Sequence, residues 1–83
     1  MTAGKILNYY PKSGVAYMSV LSGTIADGDE VVIIGPTSGL VRTIVRNPRL
    51  ELTEDRPPLR TATFKVPERV RPHDAVYKII KKH

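Results

Sequence analysis

A chain of 83 residues makes a single domain that buries only roughly 60 to 65% of the surface its unfolded form exposes, which leaves little interior for a deep catalytic pocket. With no cysteine, neither a disulfide framework nor a thiolate zinc site can hold the fold, so the apolar core has to suffice. The net charge of +5 is unevenly spread: residues 1–41 carry two Lys against three acidic residues, whereas residues 42–83 carry eleven of the thirteen Lys and Arg against five, an asymmetry that points to a polyanionic partner.

Met1-Thr2-Ala3-Gly4-Lys5 leads into a strand pattern and not a signal peptide. No apolar run reaches the roughly 18 residues that span a bilayer, so a cytoplasmic chain with no membrane partner is expected. The lack of Gln and the presence of only two Asn fit a thermophilic source. Apolar residues recur with period two almost throughout, and no window carries a helical stripe, which predicts an all-β fold.

Gly4–Tyr10 reads as a first strand, Pro11-Lys12-Ser13-Gly14 as a turn, and Val15–Leu21 as the returning strand. In Ser22–Gly35, Gly23 and Gly28 suit positive φ, and Asp27 and Asp29 can bond their own backbone. Val31–Ile34 then forms a third strand, whose unbroken apolar character suits coverage on both faces. After the Gly35–Gly39 loop, Leu40–Asn47 places Val41, Thr43 and Val45 on one face and Arg42 and Arg46 on the other. Asn47-Pro48 predicts a bulge, beyond which Leu50 and Leu52 point inward and Arg49 and Glu51 outward.

Residues 53–60, with Pro57-Pro58, read as a loop, and Thr61–Val66 as an alternating strand with Ala62, Phe64 and Val66 inward. Val70–Ile79 repeats the plan of Ile25–Ile34: an aliphatic residue, a turn, an Asp four positions on, then a strand. Ala75, Tyr77 and Ile79 share one face of that strand, and Tyr17, Phe64 and Tyr77 read as core. The expected architecture is one domain over residues 1–83, ending in the basic tail 81–83. It is a small six- or seven-stranded antiparallel β-barrel, closed or nearly closed because closure removes exposed edges.

Gly4-Lys5-Ile6, Val15-Ala16, Gly23-Thr24-Ile25 and Gly28-Asp29-Glu30-Val31 leading to Ile33-Ile34-Gly35 make the chain similar to the second domain of translational GTPases of the elongation factor Tu type. Val70–Ile79 looks like that barrel's final strand with its charged lead-in turn. The resemblance covers nearly the whole chain and implies a barrel of the translation-protein type, free-standing instead of attached to a GTPase. The chain departs from the family at Pro57-Pro58-Leu59-Arg60, where a Gly-Asp turn is usual, and at His73, where Gly is common. No residue matches the family's aminoacyl-tRNA end contacts.

The absence of a Gly-x-x-x-x-Gly-Lys-Ser/Thr loop removes the site for nucleotide hydrolysis. His73 and Asp74 are adjacent in a turn and point apart, so they do not read as a catalytic pair. Asp27, Asp29 and Glu30 lack the alternating ligands of a calcium loop, and His83 has no second His at zinc-ligand spacing. No catalytic residue, metal, nucleotide or other cofactor is expected.

The basic residues are the sharpest functional candidates. Arg42 and Arg46 lie four apart on one strand face, and Arg49 can rejoin that face after the bulge, giving a guanidinium ridge able to fork-bond phosphates. Arg56, Arg60, Arg69, Arg71, Lys81 and Lys82 extend it, and an outward Tyr9 or Tyr10 offers a stacking face. The expectation is a non-catalytic, translation-factor-like barrel that binds RNA, ribosomal or transfer, through this face. The alternative is a protein-interaction barrel that docks on a larger enzyme or ribonucleoprotein, with its arginines solvated or paired to Glu51, Glu54, Asp55 or Glu68.

Overall fold

The computed structural model describes residues 2–80. Seven strands account for the regular structure: β1 (Thr2–Tyr10), β2 (Val15–Val20), β3 (Glu30–Gly35), β4 (Gly39–Ile44), β5 (Arg49–Leu52), β6 (Arg60–Lys65) and β7 (Ala75–Ile79). All pairings are antiparallel within one sheet of order β4-β3-β7-β1-β2-β6-β5. Among the described residues no helix is long and apolar enough to cross a membrane.

The all-β, seven-stranded architecture is as the periodicity predicts, but the barrel is not closed. β4 and β5 stand at the two ends of the strand order, and no ladder joins them. Six successive antiparallel pairings leave these two strands running in the same sense, with only residues 45–48 between them. Parallel neighbours need a crossover of roughly a dozen residues, so a connection this short cannot lay β5 beside β4. The sheet instead curls around one core, to which Ile6, Met18, Ile33, Val41, Phe64 and Val76 each contribute from a different strand. Only β5 gives nothing to it.

The repeat seen in sequence is a repeat in space. In the first unit the Ala26 N–H donates to Asp29 Oδ2 (2.8 Å), the Gly28 N–H to the Val45 carbonyl (2.7 Å) and the Val45 N–H to the Asp29 carbonyl (2.7 Å). In the second, the Arg71 N–H donates to Asp74 Oδ2 (3.0 Å), the His73 N–H to the Ile6 carbonyl (2.8 Å) and the Ile6 N–H to the Asp74 carbonyl (2.8 Å). Each Asp side chain thus closes its own turn, and each turn is clipped by two backbone bonds, the first to Val45 just past β4 and the second to Ile6 in β1. The β3–β7 ladder, from Glu30 opposite Ile79 to Ile34 opposite Ala75, relates the two units by an approximate two-fold axis through the Val32–Tyr77 pair.

His73 occupies the place of Gly28, and both take positive φ, 74° and 89° respectively. This accounts for the departure at His73: the clip demands a left-handed residue, and here a side chain bears it. Replacing the exposed His73 with glycine is expected to stabilise the fold by about 1 kcal/mol, read as a melting temperature higher by several degrees. A variant melting below the parent would show that the imidazole itself contributes.

Two further expectations need correction. Tyr17 and Tyr77 are not core: they lie half-buried on the outer face of the sheet, because the inward positions of β2 and β7 belong to Ala16, Met18 and Val76. Nor is β3 covered on both faces. Val31 and Ile33 are buried, whereas Val32 is half-buried and Ile34 is 44% exposed.

Candidate functional site

The arginines of the predicted ridge lie on different elements and have different partners. Arg42, outward on β4, donates its guanidinium to the Glu30 carboxylate across the β3–β4 ladder, and this bond raises the Arg42 pKa beyond its ordinary value. Arg49 lies on β5, at the opposite end of the strand order, and approaches Glu51 at 3.7 Å with both side chains largely solvated. The Arg60 guanidinium donates to the Gly23 carbonyl (2.8 Å), tying the start of β6 to the β2–β3 connection. Arg46, Arg56, Arg69 and Arg71 are exposed on three separate connections. Lys81 and Lys82 lie outside the described residues. The predicted residues thus fall on three strands and three connections, and two of them, Arg42 and Arg60, are engaged by Glu30 and by the Gly23 carbonyl.

The acidic corner is structural. The Asp27 carboxylate accepts the Asn47 N–H (2.8 Å), and Asp29 accepts both the Ala26 N–H and the ammonium of Lys78 (3.1 Å), which also donates to the Thr24 carbonyl (3.0 Å). Asp74 is buried and accepts the Ser38 hydroxyl at 2.5 Å as well as its own turn. His73 is exposed, in contrast to the buried Asp74. Among the described residues no group of three His, Cys, Asp or Glu is placed to hold a metal ion.

The surfaces that stand out are apolar, and charge counting missed both. On the outside of β4, β3 and β7, the registers place Leu40, Ile34 and Ala75 in one row, Arg42, Val32 and Tyr77 in the next, and Ile44, Glu30 and Ile79 in the third. Seven of these nine side chains are apolar or aromatic, around one Arg–Glu pair, and Leu40 is 63% exposed. The unbroken apolar run of β3 was the available signal: a strand with both faces apolar and only one face in the core has to present the other.

The second surface is an open groove of about 440 Å³ lined by Val20, Thr24, Leu50, Glu51, Leu52, Arg60 and Thr61. Leu50 and Leu52 stand opposite Ala62 and Arg60 in the β5–β6 ladder, so they face the interior side as predicted. They are nevertheless 56% and 66% exposed, because the unclosed sheet leaves nothing over them.

With the fold and both surfaces defined, similarity to known proteins becomes interpretable. No protein-family model matches the chain. It is 36% identical over 81 residues to a collagenase of Porphyromonas gingivalis, a match that takes in 95% of this chain and 22% of the relative. The collagenase of Porphyromonas gingivalis strain ATCC BAA-308 / W83 gives the same identity over the same length, at 20% of that relative. The chain therefore spans about a fifth of the length of the curated relatives it matches. Among solved structures it is similar to the C-terminal domain of a Geobacillus thermoleovorans protein assigned to the U32 peptidases. The selenomethionine variant of that domain superposes with a TM-score of 0.77 at 28% identity, covering 92% of this chain and 96% of the domain. A second structure of the same domain gives 0.75 at 27%, covering 95% and 92%.

These similarities overturn the kinship inferred from sequence. The matches are to a collagenase and to a U32 peptidase domain, not to the second domain of an elongation factor Tu-type GTPase, and they overturn with it the translation-factor-like, RNA-binding role expected from the kinship and the basic face together. The physical reason lies in the residues that carried the resemblance. Gly28-Asp29 and its counterpart His73-Asp74 satisfy a turn-and-clip geometry, and any small sheet with such lead-ins has use for them.

Proposed function

We propose that this chain is a non-catalytic accessory domain that docks on the body of a U32 peptidase-type protein through the outer face of β4, β3 and β7. The observation that carries the reading is the coverage: the match takes in 95% of this chain but about a fifth of each collagenase, and the same fold is the C-terminal domain of a U32 peptidase. A domain that is a fifth of a larger protein has a body to pack against, and three rows of largely apolar side chains make a suitable interface core. The Arg42–Glu30 pair at its centre then sets orientation more than affinity.

The test supplies this chain in trans to the P. gingivalis collagenase from which the matching segment has been deleted, with nuclease present throughout. Association is expected, and Leu40→Lys should weaken it by at least about tenfold while leaving the isolated fold intact, since Leu40 lies on the surface. Two independent melting transitions in a chimera carrying this chain in place of that segment, with no association in trans, would overturn the proposal.

A further inference from the structure

The groove beside β5 adjoins a free strand edge. Bonded and non-bonded pairs alternate along an antiparallel ladder. The Thr53 N–H donates to the Leu59 carbonyl (2.9 Å), and the Thr61 hydroxyl reaches the Glu51 carbonyl (3.3 Å), so the backbone groups of residues 53, 51 and 49 face β6. Those of Leu50 and Leu52 accordingly face away from it, on the side where β5 ends the strand order. One short strand thus presents outward N–H and C=O groups beside two uncovered leucines, with Arg49 and Glu51 on its opposite face.

A second copy of the chain is poorly suited to this edge. Pairing β5 with itself so that Leu50 meets Leu50 keeps Arg49 opposite Glu51 but sets Leu52 against Pro48 at both ends, and a proline has no N–H to give. Shifting the register so that Leu50 meets Leu52 sets Glu51 directly against Glu51. Both registers are penalised, which is how natural edges resist self-association while remaining open to a different strand.

We propose that the β5 edge is a binding site for a short extended peptide, added antiparallel as an eighth strand. Its alternate side chains are aliphatic and lie over Leu50 and Leu52 in the groove with Val20. On its other face, a basic residue stands opposite Glu51 and an acidic residue opposite Arg49. Main-chain bonds to Leu50 and Leu52 supply affinity, and the charge pattern supplies register and selectivity. This site does not depend on the docking face of β4, β3 and β7, so the two proposals can fail separately.

The experiment is an amide NMR titration of the isotopically labelled chain with an end-blocked hexapeptide whose central run is valine-lysine-valine-glutamate. The control peptide has lysine and glutamate exchanged. Shift changes are expected at Arg49–Leu52 and Thr61, with slowed hydrogen exchange at the Leu50 and Leu52 amides and about tenfold weaker binding of the control. Leu52→Asp, at an exposed position that the core does not use, should abolish the response. The double variant Arg49→Glu with Glu51→Arg should reverse the preference between the two peptides. No shift up to about 2 mM peptide, shifts centred on Leu40 and Ile34, equal affinity for both peptides, or concentration-dependent shifts at Leu50 without any peptide would each overturn the proposal.

Discussion

Replacing Gly4 with alanine is expected to leave a chain with no cooperative native sheet. A Cβ at this position would lie 1.7 Å from the Ser19 carbonyl oxygen and 2.7 Å from Met18 Cε. The methionine tip can swing aside, but the carbonyl belongs to β2 and cannot. Gly4 is paired with Val20 on one side and Val76 on the other, so forcing β1 and β2 apart also strains β7. A displacement at the middle of the strand order should cost more than about 4 kcal/mol, against a total stability of roughly 5 to 15 kcal/mol for a natural domain. Circular dichroism on heating should show no sharp transition; a cooperative melt within a few degrees of the parent would refute the close approach of these strands.

The second large effect is a coupling. A Cβ added at Gly35 would sit 1.8 Å from Asp74 Oδ1, while Asp74 Oδ2 accepts the Ser38 hydroxyl and the Arg71 N–H. Gly35→Ala alone therefore pushes against a carboxylate that is held by its other oxygen, and should cost about 3 kcal/mol. Asp74→Ala alone leaves the Ser38 and Arg71 donors without their acceptor, at a cost of about 2 to 4 kcal/mol. In the double variant the added methyl group enters space vacated by the carboxylate. Its stability should match that of Asp74→Ala to within about 1 kcal/mol, giving a coupling of at least roughly 2 kcal/mol in a urea-denaturation cycle. Strict additivity would mean that the two residues do not meet.

What could be read from the residues was what short-range physics decides. Thr61–Val66 alternates because its inward positions meet one continuous core, and the fold buries Ala62, Phe64 and Val66 as that alternation requires. The acidic corners were legible because an Asp closing its own turn needs only three neighbouring residues. Closure was not legible, since it turns on the sense of β4 relative to β5, which emerges only when every intervening pairing is known. For the same reason the inward direction of Leu50 was predictable and its exposure was not. The partner of Arg42 sits twelve residues upstream across a ladder, and no charge count along the chain reveals it. Kinship failed on other grounds: Gly23, Gly28 and Asp29 record a geometric need, and unrelated sheets share it.

The position of β7 has a consequence for how the domain is made. As the last strand to leave the ribosome it must nevertheless slot between β3 and β1, each of which was synthesised long before. Until Ala75–Ile79 emerges, the pairings open to the nascent chain are a β3–β4 hairpin and a four-stranded β1-β2-β6-β5 piece, with no ladder between them and only the connections 21–29 and 45–48 to tether them. Both pieces then expose edges and half a core. Completion of the sheet therefore waits on β7, and a chain lacking Ala75–Ile79 is left with two tethered, edge-exposing pieces instead of a smaller version of the fold.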